Sequence, residues 1–183
     1  MTLIFDQYDL KGETALLNDI AGTVLQLPWF EKAGHYNQET ETKLELLLDE
    51  LHVHHYEIEW ISKNTLAEKL NTVSFGDSKI WKALKELPTI YTEKIEEKEL
   101  EEAWNILLND LPEHLFHFIF EKAYELYQNE EEIHHLINQA YYVSTLIALA
   151  KLAGEEIVAD KLTNIIETGN VVVGFQREKI YLL

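Results

Sequence analysis

Cysteine is absent from this chain. Without a thiol there is no disulfide framework, no thiolate nucleophile and no cysteine-bound zinc, and the absence suits a reducing cytoplasm. Glycine is scarce, with seven residues scattered mostly where helices should end. No phosphate-cradling loop and no nucleophile elbow can be assembled from them. Positive charge is also in short supply: 15 Lys and Arg stand against 33 Asp and Glu, a net charge of −18. Such a balance repels nucleic acid and anionic membranes and attracts basic partners. Long apolar runs are missing. The most apolar stretch, AYYVSTLIALAKLAG, is interrupted by Ser144, Thr145 and Lys151 and is too short to span a bilayer. The opening MTLIFDQYDLKGE carries Asp6 and Asp9 where a signal peptide would carry Lys or Arg. The expectation is a soluble, cytoplasmic protein with no membrane partner.

What is present reads mostly at helical period. With 183 residues, 46% hydrophobic and 26% charged, the chain has the balance of one globular domain. Apolar positions from Glu13 to Leu27 recur at steps of three and four and stop at Pro28. A second helix starts near Thr40 or Thr42 and runs through Leu44, Leu47, Leu48 and Leu51. Asn64, or a Thr65–Glu68 capping box, opens a third, and Asp77 or Ser78 opens SKIWKALKEL, which Pro88 ends. Thr92 precedes an acidic first turn. Asp110–Leu111–Pro112–Glu113 opens a helix to about Gln128. Asn129 opens another, with a core face of Ile133, Leu136, Ile137, Ala140, Ser144 and Ile147. Gly154 and Gly169 close the last two helices. The segment Pro88–Glu99 is the one place where two lobes could meet.

Two segments break this period. NVVVGFQREKIYLL is β-branched and aromatic around Gly174, and TLIFDQYDL near the N-terminus could pair with it. The fold expected is mostly α, a multi-helix, bundle-like protein with a small β element formed by the N- and C-terminal segments.

Histidines gather in three places. In LDELHVHHYEIEW, Leu48–Trp60, a helix should give way to an extended piece near Tyr56–Ile61, and His52, His54 and His55 suit a helix C-terminus. His114, His117 and Glu121 share one helical stripe, and Glu131 lies one turn before His134 and His135. A Glu-x-x-His step aims a carboxylate and an imidazole at one point, as di-iron bundles require, but such bundles need a second step and two further inward glutamates. A metal-dependent enzyme using these residues is therefore one alternative. No His-Glu-x-x-His motif occurs, and the sequence nominates no catalytic acid, base or nucleophile. No cofactor is expected, and the balance favours a binding protein over an enzyme.

Between Ser62 and Pro88 the charge inverts, with Lys63, Lys69, Lys79, Lys82 and Lys85 against Glu68, Asp77 and Glu86. The stretch Asn64–Leu87 resembles a helix-turn-helix, which implies Lys79, Lys82 and Lys85 as a phosphate-facing stripe on the second helix. Its turn is longer than that motif's, and Asp77 sits where phosphate would approach. A DNA-binding regulator is accordingly the first alternative, ahead of the metal-dependent enzyme.

The leading expectation is an acidic module that binds a basic protein, in its sharpest form an inhibitor or immunity-type protein neutralising a toxin or nuclease. Its acidic face would draw on Glu96, Glu97, Glu101, Glu102, Glu130, Glu131 and Glu132. Trp29 and Phe30, on a loop after Pro28, are the expected exposed aromatic anchors.

Overall fold

A computed structural model describes residues 19, 22–72, 77–105, 107–108 and 111–183, without the side chains of residues 71, 72, 111 and 114. In chain order the described elements are helix at 22–26, α1 (Gln38–Glu50), β1 (Glu57–Trp60), a 3-10 turn (Lys63–Thr65), α2 (Leu66–Thr72) and α3 (Lys79–Thr92). They continue with α4 (Glu97–Asn105), α5 (Leu111–Leu126), α6 (Glu130–Leu152), α7 (Glu156–Ile166), β2 (Val172–Gln176) and β3 (Lys179–Leu182). The mostly helical architecture with a small β element is the one expected from sequence. Among the described residues, the third strand of that element is β1. The N-terminal TLIFDQYDL, and most of the helix expected over Glu13–Leu27, lie outside the described residues.

Helix α6 organises the rest. Asn129 caps it, its Oδ1 accepting the Glu131 amide at 2.9 Å, and three glutamates fill the positive first turn. Its expected core face is buried throughout, and from Leu146 to Ala150 every residue is inside. A helix apolar on all sides must be wrapped. Accordingly α2, α3, α5, α7 and β2 all pack on it. At about 1.5 Å per residue it runs about 34 Å, long enough to support them all. The buried side chains from Val24 to Leu183 join in one cluster.

The sheet has the order β1–β3–β2. β1 runs parallel to β3, with Ile58 opposite Ile180, and β2 and β3 form an antiparallel hairpin. A bulge at Val173 shifts the register between Val172 and Gly174. The Val173 carbonyl accepts from His135 Nε2 on α6, fastening the hairpin to the central helix. A second fastening is polar and buried. Asn170 Nδ2 donates to the carbonyls of Lys32 (2.9 Å) and His35 (3.1 Å), and its Oδ1 lies 3.0 Å from the Thr40 hydroxyl. Gly169 precedes it at φ +81, a region costly for any residue with a Cβ, and its carbonyl accepts from the Lys32 amide at 2.9 Å.

Several boundaries differ from the sequence expectation. Asn37, not Thr40 or Thr42, caps α1, because Thr40 is drawn inside by Thr168 and Asn170. α1 stops at Glu50 in a Schellman turn, with the Val53 amide donating to Leu48 O and that of His52 to Asp49 O. His52 therefore takes the left-handed position at φ +56, and the chain turns into β1 as anticipated. Ser62 rather than Asn64 opens the following turn, its amide donating to Thr65 Oγ1. Ser78 caps α3, accepting from the Trp81 amide at 3.2 Å. Pro88 does not end α3, which continues to Thr92, so Thr92 closes this helix instead of opening the next. Proline withholds the amide that would serve the Leu84 carbonyl, and the Tyr142 hydroxyl donates to that oxygen at 3.0 Å. The Asp110 capping box lies outside the described residues.

Candidate functional site

Helix α5 must bury only a stripe about 100° wide to dock on α6. Leu115, Ile119 and Ala123, at successive steps of four, provide it and are fully buried. The segment LPEHLFHFIFEKAYEL nonetheless carries a second stripe at the same spacing: Phe116, Phe120 and Tyr124. These remain 40%, 36% and 56% exposed. Phe116 and Phe120 stack with centroids 5.5 Å apart, and Phe120 and Tyr124 stack at 5.9 Å. Helical spacing places Glu113, His117, Glu121 and Glu125 beside this ladder, all exposed. Phe118, also part-exposed, borders the far side under Lys122, whose ammonium sits 5.0 Å from its ring and 3.2 Å from Glu31. The result is a row of flat apolar surface beside a row of three carboxylates and one imidazole. Three exposed aromatics in register form a contiguous apolar stripe rather than the scattered surface apolars of an ordinary domain.

The ladder has a sequence signal, because two apolar stripes on one helix are one more than the core can use, and His114 and His117 bracket Leu115 and Phe116, where the two stripes start.

The anchors expected from sequence are not at the surface. Trp29 and Phe30 are 1% and 2% exposed, and Trp29 Nε1 donates to the Val24 carbonyl at 2.8 Å. The loop after Pro28 folds inward because the indole finds a backbone acceptor inside. Of the acidic residues, Glu96, Glu97, Glu101, Glu130 and Glu131 are exposed and Glu102 is half-buried. Glu132 is buried, so it does not belong to any acidic face. Its carboxylate accepts the Ala67 amide at the start of α2, and burial raises its pKa above the ordinary carboxylate range.

Among the described residues, no three His, Asp or Glu side chains gather where a metal could sit. His117, Glu121, Glu131 and His134 are exposed, and the side chain of His114 lies outside what is described. His135 is committed to Val173. A carbonyl can only accept, so Nε2 carries the proton, and burial lowers the pKa of the ring.

The lysines of the basic island have separate fates. Lys69 is held by Glu59 at 2.6 Å, and Lys179 meets the same carboxylate at 2.9 Å, so that β1, α2 and β3 are clasped together. The two ammonium groups hold the Glu59 pKa below its usual range. Lys79, Lys82 and Lys85 are exposed along α3, and no carboxylate among the described residues pairs with them. α2 and α3 each pack on α6.

Among the described residues no helix is long and apolar enough to cross a membrane. No family model, no curated protein and no solved structure matches the chain.

Proposed function

We propose that this protein is a cytoplasmic protein-binding module whose docking surface is the outward face of α5. The stacked ladder Phe116–Phe120–Tyr124, left exposed beside Glu113, Glu121 and Glu125, is the observation that carries the reading. Exposed aromatics supply binding energy when a partner covers them, and a flanking row of one charge sets which partner can do so. The complementary partner is basic: an apolar stripe to cover the rings and Lys or Arg to meet the carboxylates. The net charge of −18 speeds the encounter at low salt. In its most specific form the reading makes the chain an inhibitor or immunity-type protein that occupies the basic groove of a toxin or nuclease.

The test compares immobilised wild-type protein with folded Phe120→Asp and Tyr124→Asp variants in lysate of the source organism, eluted by a salt gradient with and without nuclease. The reading expects one basic protein to be retained by wild type, released by moderate salt, indifferent to nuclease, and reduced at least tenfold by either variant. Retention unchanged in both variants would refute it. Nuclease-sensitive recovery of DNA, lost on reversing Lys79, Lys82 and Lys85, would replace it with the regulator reading.

A further inference from the structure

A cavity of about 50 Å³ lies where α1, α3, α6, α7 and β2 converge. Leu44, Leu48, Leu146, Leu162, Ile165 and Phe175 form its deep walls, and all are buried. Gln139, Tyr142, Val143 and Val172 are lining residues that keep some exposure, and they mark its mouth. Tyr142 presents only its ring, because its hydroxyl is committed to the Leu84 carbonyl. Gln139 is the one other lining residue with a polar side chain, and the wall itself is almost wholly apolar.

Two features set this space apart from a packing fault. Native interiors are filled to the density of organic crystals, and an unfilled void removes contacts from every side chain around it. Here Val143 and Val172 are the smallest side chains lining the space, and neither position carries the larger residue that would take up part of it. The walls also exclude water as the natural occupant, since a buried water needs two to four polar partners and these walls offer none. An engineered apolar cavity of about 150 Å³ stays dry and takes benzene or xenon, and this one is about a third of that size.

We infer that the cavity is a binding site for the alkyl end of a small, uncharged amphiphile, whose polar group rests against Gln139 at the mouth. The size limits the buried part to a short alkyl group. The protein's large negative charge disfavours an anionic head, so a neutral alcohol or amide is the class that fits. This site is independent of the α5 face.

The experiment uses full-length protein with ¹³C-labelled Leu, Ile and Val methyls, titrated separately with xenon, butan-1-ol and phosphatidylcholine vesicles. Saturable shifts confined to the methyls of Leu44, Leu48, Leu146, Leu162 and Val143 are expected with xenon and with butan-1-ol. Val143→Phe should abolish both, and Val172→Leu, filling from another wall, provides the same test if that variant fails to fold. Gln139→Ala should weaken butan-1-ol several-fold while leaving xenon unchanged. Shifts that never saturate, spread over the whole core, or persist in the filled variants would overturn the inference. Shifts with vesicles and none with butan-1-ol would overturn the free ligand in favour of a bilayer lipid tail.

Discussion

The Tyr142 hydroxyl stands 3.0 Å from the carbonyl of Leu84, where the amide of residue 88 would sit were it not proline. One residue of α6 thus repairs the ladder of α3 and lets that helix run through its own breaker to Thr92. Burial against α3 also makes the phenol resist ionisation, its pKa pushed up to about 12.

The pairing predicts a specific non-additivity. Tyr142→Phe leaves the Leu84 carbonyl without its donor, at a cost of about 1–3 kcal/mol. In a Pro88→Ala background the new amide serves that carbonyl, and the same Tyr142→Phe change should cost less by at least about 1 kcal/mol. Urea unfolding of the four proteins in a double-mutant cycle measures the difference. Equal costs in both backgrounds would mean that the hydroxyl does not replace the missing amide.

Glu132 and His135, one turn apart on α6, tilt stability with pH in opposite directions. Burial raises the Glu132 pKa in the folded state, so its contribution to stability is fullest at acid pH. That contribution is lost as pH rises from the ordinary carboxylate value through the folded one. Glu132→Gln keeps an acceptor for the Ala67 amide without the charge. It should raise the urea midpoint at pH 7, with the gain shrinking towards pH 4. A midpoint lowered by the same amount at both pH values would contradict this.

Burial lowers the His135 pKa, so its contribution is fully present above about pH 6.5, the ordinary value, and is lost as pH falls through the folded one. Below pH 6.5 the wild type should therefore lose stability more steeply than His135→Gln. Parallel curves of midpoint against pH for the two proteins would remove this role.

Gly169 stands at φ +81, and a Cβ there would come 3.1 Å from the Lys32 amide nitrogen. Gly169→Ala should cost about 1–2 kcal/mol from the left-handed backbone alone, with the crowding of Lys32 added. Gly154 shares the backbone conformation but has open space around it, so Gly154→Ala should cost less. Thermal unfolding of the two variants side by side decides whether the close approach matters.

Where signals are local, the sequence was readable. Asn129 with its glutamates, the inward face from Ile133 to Ile147, the glycines at 154 and 169, and the β character of the C-terminal segment all depend on neighbours within a few positions. The failures are long-range. Pro88 reads as a stop because nothing near it reveals Tyr142, which lies 58 positions beyond the Leu84 carbonyl it serves. Trp29 and Phe30 read as exposed because a loop after proline has no visible reason to turn inward. Glu132 reads like its neighbours Glu130 and Glu131, because a first-turn acid suits the helix dipole on any side. Only the placement of α2 turns it into a buried acceptor. Of the candidate site, the ladder was present as a pattern, and what the sequence could not supply was which of the two stripes α6 would cover.

The parallel pairing of β1 with β3 joins residues some 120 positions apart, as the Glu59–Lys179 contact records. A ribosome delivers β1 long before its neighbour exists, so during synthesis the strand has no β3 to pair with. The sheet closes only after residue 182 has emerged, and closing so long a loop is entropically slow. The hairpin at 172–182 is therefore the last part of the core to be supplied, and a chain truncated before it would leave β1 without its partner and the helices without the side chains from Val173 to Leu183 that complete their core.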